Sequence, residues 1–170
     1  FTKDNILSII LIAGIAIISI ALVFALYIII SSPDFDKDKL YSKESSVLYF
    51  NDGKTELARL GQYDRVLVNY DELPEVLIDA IVATEDSRFF QHNGLDMARF
   101  AKASVGQILG NDKAGGGSTL TMQVAKQIYS NKESHGIKGI IRKFQDIYMA
   151  VFKLESNYTK EEIIEKKIFK

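Results

Sequence analysis

The chain has 170 residues, and its 22 acidic side chains nearly balance its 21 basic ones. This balance argues against a nucleic-acid-binding protein, because such proteins concentrate Lys and Arg on one face. The sequence contains no cysteine, which excludes disulfides, thiolate zinc sites and cysteine nucleophiles, and its two histidines are too few for a histidine-rich metal site. Any chemistry therefore depends on carboxylates, amides, hydroxyls and lysines.

The first part of the chain is an apolar segment. Residues 6–30 include no charged side chain, and about 25 helical residues reach about 37 Å, which exceeds a bilayer core of about 30 Å. We expect one transmembrane helix over 6–30 and not a cleaved signal peptide, whose apolar core has only about 7 to 15 residues. Residues 31–46 are polar and predict a stalk, which leaves 47–170 for one domain.

Short strands and then helices are predicted after the stalk. Apolar β-formers flank an Asn-Asp-Gly turn at 51–53, which tolerates positive φ, and this pattern predicts a β-hairpin. The apolar residues 66–68 predict a further short strand. From Pro74, which suits a first helical position, the pattern is helical nearly to the end of the chain. The fold class is therefore expected to be mainly α.

The first cluster that suggests chemistry surrounds a glutamate. Ile78, Val82, Glu85 and Phe89 recur at i, i+4, i+7 and i+11, which puts them on one stripe of a helix. A carboxylate among apolar side chains is one way in which proteins make a general base. The alternative is that the helix ends near Glu85, which would leave the carboxylate exposed at a frayed end.

Two further polar side chains follow this glutamate. Asp86 is its neighbour, and adjacent residues on a helix point about 100° apart, so the two carboxylates are not expected to act as one dyad. Asp86 is instead expected to hold a hydrogen bond with a nearby loop. His92 suits a ligand or a base, but a lone histidine beside aromatic residues is more often a structural group.

The second cluster begins where a glycine-rich stretch, 115–117, runs into a helix for which Ser118 is the expected N-cap. Thr119, Gln123 and Lys126 recur at i, i+4 and i+7, so hydroxyl, amide and ammonium groups share one face. Such a face at a helix N-terminus suits phosphate or sugar oxygens, and a solvated face is the plain alternative. The loop lacks the Gly-Lys-Ser/Thr ending of a P-loop, so ATP binding is not predicted. The apolar stripe of the same helix consists of Leu120, Val124 and Ile128.

The third cluster is Arg142, Lys143 and Asp146 in a later helix. Arg142 and Asp146 are four residues apart, a spacing that by itself makes only a surface ion pair worth roughly 0.3 kcal/mol. The expected core face of this helix consists of Phe144, Ile147, Tyr148 and Val151.

In this order behind an apolar segment, the three clusters resemble the peptidoglycan glycosyltransferase domain of class A penicillin-binding proteins and monofunctional transglycosylases, which is glycosyltransferase family 51. The family's first motif, Glu-Asp-x-x-Phe-x-x-His-x-Gly, is met by Glu85, Asp86, Phe89, His92 and Gly94. Its second motif, Gly-x-Ser-Thr-x-Thr-Gln-Gln followed by a lysine, is met by Gly116, Ser118, Thr119, Thr121, Gln123 and Lys126. The segment 154–165 is similar to the family's Leu-Glu…Tyr-Ser-Lys-Asp-Glu-Ile-Leu-Glu, so the resemblance covers about 47–165.

The resemblance implies a mainly α fold, in which a lysozyme-like helical lobe with a small N-terminal β-hairpin is preceded by one transmembrane helix. It implies a single-pass protein of the bacterial plasma membrane, with its N-terminus cytoplasmic and its domain on the outer side. The reaction would polymerise lipid II into glycan strands, with inversion at MurNAc C1 and release of undecaprenyl pyrophosphate. The expected partners are lipid II, the growing glycan chain, the lipid bilayer, and cell-wall synthesis and division proteins, but no nucleic acid.

The resemblance also assigns roles to residues. Glu85 would be the catalytic base that takes the proton of the acceptor hydroxyl, and Asp146 would be a second catalytic carboxylate on the leaving-group side. Substrate contacts would come from Asp86, Phe89, His92, Lys102, Ser118, Thr119, Gln123, Lys126, Arg142 and Lys143. The resemblance assigns no residue to a metal and implies no definite cofactor, and it leaves a divalent cation, Mg²⁺ or Mn²⁺, open at the pyrophosphate and sugar contacts. The segment that touches the bilayer in the family includes Met97, Phe100, Val105, Ile108 and Leu109.

Four departures from the family pattern bear on catalysis. Asp146 stands where the family has a glutamate, and the loss of about one ångström of reach can cost about 10²-fold in rate. Met122 replaces the first glutamine of the second motif, and Lys102 replaces an arginine and loses its bidentate fork. Where the family continues with Tyr-Leu-Asn, the chain ends in Lys-Ile-Phe-Lys, so the domain is expected to be incomplete at its C-terminus.

These departures leave two other functions open. One is a catalytically degenerate, membrane-anchored module that binds lipid II or recruits cell-wall partners. The other is a lysozyme-like enzyme that cleaves glycans, which is disfavoured because the second motif suits a pyrophosphate and not a polymer.

Overall fold

A computed structural model describes residues 3–37, 46–60, 68–110, 116–129 and 135–168 of the chain. The helices are α1 (Lys3–Ser31), α2 (Glu75–Glu85), α3 (Met97–Ile108), α4 (Leu120–Tyr129), α5 (Gly136–Met149) and α6 (Lys160–Ile168). The strands are β1 (Ser46–Tyr49) and β2 (Glu56–Leu60), and short 3₁₀ turns lie at Tyr70–Glu72 and Phe89–Gln91. The mainly α fold class is therefore confirmed.

Helix α1 is long and apolar enough to cross a membrane. Its segment Asn5–Ser31 has 27 residues with a mean hydropathy of 3.1, and an 18-residue apolar window within it has no residue buried against the rest of the chain. Ile28, near the C-terminal end of the segment, is buried. Helix α1 is the only such helix among the described residues. At about 1.5 Å per residue, α1 is longer than a bilayer core of about 30 Å. By length and composition, α1 fits the anchor predicted over 6–30.

The C-terminal part of α1 contacts α5. Phe24 packs edge-to-face against Phe144, with the ring centroids 5.2 Å apart. Gln145 Nε2 donates to the carbonyl oxygen of Ser31 over 2.8 Å. The prediction that Phe144 faces the domain core is wrong, because its ring lies against α1 and the residue remains 38% exposed. Helix α5 buries Asp146 and Met149 instead.

Residues 32–37, which begin the predicted stalk 31–46, pack on the helical body. The ring centroid of Phe35 lies 6.4 Å from that of Tyr129 and 6.2 Å from that of Tyr158. Tyr129 Oη also donates to the carbonyl oxygen of Asp36 over 3.3 Å. The described part of the stalk is therefore held against α4, and residues 38–45 lie outside the described residues.

Strands β1 and β2 form the predicted antiparallel hairpin. Gly53 adopts a φ of 65°, as its turn sequence predicts. The Asp52 carboxylate accepts bonds from the hydroxyl and backbone N–H of Thr55 and from the N–H of Lys54, and these bonds lower the pKa of Asp52 to about 2. Of the further strand predicted at 66–68, residues 66 and 67 lie outside the described residues, and Val68 is not part of a strand.

Helix α4 is the central element of the helical body. Leu120 and Val124 of its predicted apolar stripe are fully buried, and Ile128 packs against the core. Thr121 and Met122 are buried as well, so the first turns of α4 are enclosed on more than one side. Helix α4 contacts α5, α6 and the π-helical turn Ala150–Leu154 that follows α5. The core around it also includes Phe89, Met149, Leu154, Tyr158, Ile163 and Ile164.

The loop after the second 3₁₀ turn approaches the π-helical turn closely. Gly94 has a φ of 81°, and a Cβ atom built there would lie 3.0 Å from the carbonyl carbon of Ala150. Glycine therefore suits this position both by conformation and by space. Lys160 Nζ donates to the carbonyl oxygen of His92 over 2.6 Å and to Glu155 Oε1 over 2.7 Å. These bonds tie the loop to the start of α6.

Candidate active site

The candidate base lies at the C-terminal end of α2. The helix ends at Glu85, because Asp86 leaves the helical conformation with φ −156° and ψ 75°. The expected single stripe is therefore wrong at its far end, since Phe89 lies in a separate 3₁₀ turn and is fully buried in the core. Glu85 itself is partly exposed, and Gln123 Nε2 donates to its Oε2 over 2.8 Å. Two of the predicted site residues are thus joined directly.

Asp86 points into the interior, where it belongs to what we call the inner network: Asp86, His92, Arg99 and Thr119. Its side chain is fully buried, with Oδ2 3.0 Å from His92 Nε2 and 3.0 Å from the backbone nitrogen of Leu120. Arg99 Nη1 lies 3.7 Å from Oδ1. An anionic side chain is favoured at the N-terminus of a helix such as α4. Asp86 therefore joins the end of α2 to the start of α4, and His92 supports it.

Arg99 is a site residue that sequence reasoning missed. Its Nε donates to the carbonyl oxygen of Gly116 over 2.9 Å, and its Nη1 donates to that of Glu85 over 2.8 Å. It therefore clamps the glycine-rich loop to the end of α2. Lys102, the predicted cation of α3, is exposed and makes no hydrogen bond or ion pair within the part of the chain that the structure describes. Sequence spacing gives no signal for Arg99, because the carbonyl oxygens that it contacts lie 14 and 17 residues away in the chain.

Thr119, and not Ser118, is the N-cap of α4. Thr119 Oγ1 accepts from the N–H of Met122 over 3.2 Å and donates to the carbonyl oxygen of Gly94 over 2.6 Å. The cap predicted at Ser118 is wrong, because the helix begins at Leu120 and Ser118 precedes the cap. The side chain of Met122, which departs from the family motif, is buried in the interior.

Ser118, Lys126, Lys143 and Asp146 form a second group, which we call the cationic cluster. Lys143 Nζ donates to Ser118 Oγ. Burial lowers the pKa of Lys143, the Asp146 carboxylate opposes that shift, and the Lys126 ammonium adds to it. Asp146 is only 7% exposed, and Arg142, the residue before Lys143, is partly exposed. Hydroxyl and ammonium donors side by side are a combination that binds phosphate oxygens.

A further cation that the sequence motifs did not indicate is Lys167, in the last turn of α6. Its Nζ donates to Gln123 Oε1 over 2.6 Å. Glu85, Gln123 and Lys167 are therefore joined by hydrogen bonds in one series, which we call the outer row. No local pattern singles out Lys167, since its contact depends on how α6 packs against α4.

The described residues do not build a metal site from protein ligands. No group of three or more His, Asp or Glu side chains in this part of the chain comes close enough together to hold a cation. Gln123 holds Glu85, and Asp86 is engaged by His92 and by the start of α4. A divalent cation, Mg²⁺ or Mn²⁺, at the pyrophosphate contacts stays a prediction.

Similarity to known proteins covers the whole of this site. Residues 53–168 match the family model described as Transglycosylase. Penicillin-binding protein 1A/1B of Bacillus subtilis is 34% identical over 163 residues, which are 96% of this chain and 17% of that protein. Penicillin-binding protein 1A of Neisseria gonorrhoeae is 34% identical over 134 residues, 78% of this chain and 16% of that protein. Penicillin-binding protein 1A of Streptococcus oralis is 36% identical over 139 residues, 82% of this chain and 21% of that protein. The chain therefore spans between 16% and 21% of the length of these relatives.

Proposed function

Because this chain belongs to the transglycosylase family, whose domain has a lysozyme-like helical fold, we propose that it polymerises lipid II into the glycan strands of peptidoglycan. The 4-hydroxyl of an acceptor GlcNAc attacks MurNAc C1 of the growing chain, that centre is inverted, and undecaprenyl pyrophosphate leaves. The observation that carries the proposal is the setting of Glu85, a partly exposed carboxylate with one oxygen held by Gln123.

Glu85 is the base of the proposed reaction. Attack by a hydroxyl requires a group within hydrogen-bond reach that accepts its proton. Gln123 holds Oε2, and among the described residues no donor reaches Oε1, which is therefore the oxygen that faces the acceptor. The proton passes to this carboxylate as the bond from the hydroxyl oxygen to C1 forms and the bond from C1 to the pyrophosphate oxygen breaks.

The cationic cluster stabilises the leaving pyrophosphate in this proposal. Fixed donors that are aimed at developing charge lower a barrier because they need no reorganisation during the reaction. Lys126 and Lys143 supply ammonium groups, Ser118 supplies a hydroxyl, and Arg142 adds a guanidinium beside Lys143 in α5. A phosphate next to Lys143 would raise the pKa that burial lowers, so that binding favours the fully protonated ammonium.

Asp146 contributes on the same side, but through Lys143. Its side chain is 7% exposed, and its charge raises the pKa of Lys143 against the effect of burial. It is therefore a positioning residue, which keeps Lys143 charged. A residue with this role need not reach the substrate. The side chain of Asp146, which is shorter than the family's glutamate, is therefore compatible with activity.

Helix α1 is the membrane anchor in this proposal, with its N-terminus cytoplasmic and the domain on the outer side of the plasma membrane. Substrate and product both carry lipid chains, so an anchored enzyme meets them at the membrane surface. Support comes from the apolar span Asn5–Ser31 and from exposed apolar side chains at α3, where Met97 is 67%, Val105 55% and Leu109 75% exposed. Association with cell-wall synthesis and division proteins stays a prediction.

The test is polymerisation of labelled lipid II by the 170-residue chain reconstituted in lipid vesicles, with Glu85→Gln as the comparison. The amide keeps the shape of the side chain but cannot take the proton, so kcat should fall by about 10²- to 10⁴-fold. Glu75→Gln is the matched control, because Glu75 is exposed in the first turn of the same helix. That control should polymerise at the wild-type rate.

Other outcomes select other functions. Undiminished polymerisation by Glu85→Gln would remove the proposed base. Binding of lipid II by the wild-type chain without any polymer would favour the non-catalytic module, and release of fragments from purified peptidoglycan would favour glycan cleavage.

A further inference from the structure

The outer row connects three helices that lie far apart in sequence. Glu85 ends α2, Gln123 lies in the first turn of α4, and Lys167 lies in the last turn of α6. The two hydrogen bonds are 2.8 Å from Gln123 Nε2 to Glu85 Oε2 and 2.6 Å from Lys167 Nζ to Gln123 Oε1. All three residues are partly buried, so water competes only in part for these bonds.

The partners on each side fix the direction of the Gln123 amide. The oxygen and NH₂ ends of a glutamine side chain have nearly the same shape, so hydrogen bonding decides which way the amide points. An ammonium group only donates, and a carboxylate only accepts. With Lys167 on one side, the amide oxygen must face the ammonium and the NH₂ group must face Glu85. The reverse direction would oppose donor to donor and acceptor to acceptor.

This direction affects the candidate base. The NH₂ donor holds Glu85 Oε2 in place and leaves Oε1 for the proton of the acceptor hydroxyl. The other charged groups next to Glu85 are Asp86, which is paired with His92, and Arg99, which donates to the backbone carbonyl of Glu85. Neither hydrogen-bonds to the Gln123 amide. Within the described ranges, Lys167 is therefore the group besides Glu85 itself that sets the direction of the amide.

We propose that Lys167 is a positioning residue for the reaction, which orients Gln123 so that its NH₂ group holds Oε2 of the base Glu85. Lys167 does not touch the substrate and acts only through Gln123. The effect on rate rests on the proposed function, whereas the direction of the amide is a property of the chain alone.

Three substitutions at Lys167 separate these effects. Lys167→Arg keeps a donor and should keep most of the rate. Lys167→Met removes the donor, lets the amide rotate and should lower kcat by about 10-fold at an unchanged KM. Lys167→Glu supplies an acceptor, turns the amide oxygen towards Glu85 and should lower kcat by about 10²-fold.

Lys166→Glu is the matched control for Lys167→Glu. It makes the same charge change one position earlier in α6, but Lys166 Nζ lies over the Tyr158 ring, 4.7 Å from its centroid. Its kcat should remain that of the wild-type chain. Equal kcat values for Lys166→Glu and Lys167→Glu would overturn the proposal.

A second measurement does not depend on turnover. The side-chain NH₂ signals of Gln123 in the ¹⁵N-labelled full chain should shift as Glu85 titrates, and this shift should be absent in Glu85→Gln. The inference is supported if this shift is lost in Lys167→Glu and retained in Lys167→Arg. It is overturned if the shift is unchanged in Lys167→Glu. If the wild-type chain makes no polymer, the proposed function fails, and the NH₂ signals still decide whether Lys167 orients Gln123.

Discussion

Glu85 and Asp86 are adjacent carboxylates with opposite surroundings. Asp86 is fully buried and is engaged by His92 and by the backbone N–H of Leu120. Glu85 is partly exposed, and among the described residues its carboxylate accepts one hydrogen bond, from Gln123. A carboxylate that several buried donors hold has little capacity left for a substrate proton, whereas one with a single oxygen held keeps the other for chemistry. Asp86, which has more contacts, therefore supports the structure of the site, and Glu85 is the candidate base.

The same division separates the other polar residues. In the inner network, Asp86 and Thr119 are buried and His92 and Arg99 are partly buried, and together they join the end of α2 to the start of α4 and to the glycine-rich loop. The outer row and the cationic cluster keep ammonium, amide and carboxylate groups at least partly exposed, with Asp146 as the buried member. We therefore expect substitutions in the inner network to change the free energy of unfolding. Substitutions in the outer row or the cationic cluster should change turnover instead.

The largest effect on stability is expected for Asp86→Ala. Removing this carboxylate leaves His92 and the backbone N–H of Leu120 without their buried acceptor, and a buried donor left unsatisfied costs about 1–3 kcal/mol. The measurement is urea unfolding of the chain in detergent micelles, followed by circular dichroism. Asp79→Ala is the control, because Asp79 is exposed on the same helix. A lost polymerisation rate with an unchanged free energy of unfolding would instead put Asp86 with the reacting groups.

A smaller effect on stability is expected at Thr119, and nearly none at the neighbouring Ser118. Thr119→Ala removes the cap of α4 and the bond to the Gly94 carbonyl, and it should lower the free energy of unfolding by about 1–2 kcal/mol. Ser118→Ala should leave that free energy nearly unchanged but weaken binding of inorganic pyrophosphate, because Ser118 Oγ belongs to the cationic cluster. Unfolding curves and pyrophosphate titration of both variants check this. Equal losses of stability would mean that Ser118 shares the capping role.

Local patterns predicted the parts of the molecule that local forces determine. The hairpin follows from its turn residues, and the buried stripe of α4 follows from the helical spacing of Leu120 and Val124. Glu85 was found as a candidate base, although the single helical stripe used to find it does not exist. Helix α2 stops where the Asp86 side chain turns to the start of α4, which is 34 residues away in sequence.

The missed residues have their partners far away in the chain. Arg99 and Lys102 are one turn apart on α3, and the choice between them depends on where the Gly116 carbonyl lies. Thr119 caps α4 in place of Ser118 while it also reaches the Gly94 carbonyl. Tertiary packing alone brings such groups together, so sequence spacing could not select among them. Where two neighbouring residues are both candidates for one role, substituting each of them in turn shows which one has it.

The smallest expected effect is a pH dependence from Asp96, the N-cap of α3. The backbone N–H of Arg99 and the Arg88 guanidinium lower the pKa of Asp96 below its ordinary 3.8, and burial opposes them. Since the folded-state pKa is the lower one, the ionised carboxylate stabilises the fold above pH 3.8, and this contribution is lost as the pH falls through the folded-state value.

Comparing the wild-type chain with Asp96→Asn isolates this contribution, because the amide keeps the cap acceptor but carries no charge. The difference in free energy of unfolding should be below about 1 kcal/mol at neutral pH, since Arg88 is largely solvated, and it should shrink as the pH falls below 3.8. Asp52, with a pKa of about 2, titrates in the same range in both chains and therefore cancels. If the difference in free energy of unfolding between the two chains stays constant with pH, the shape of the Asp96 cap, and not its charge, stabilises the start of α3.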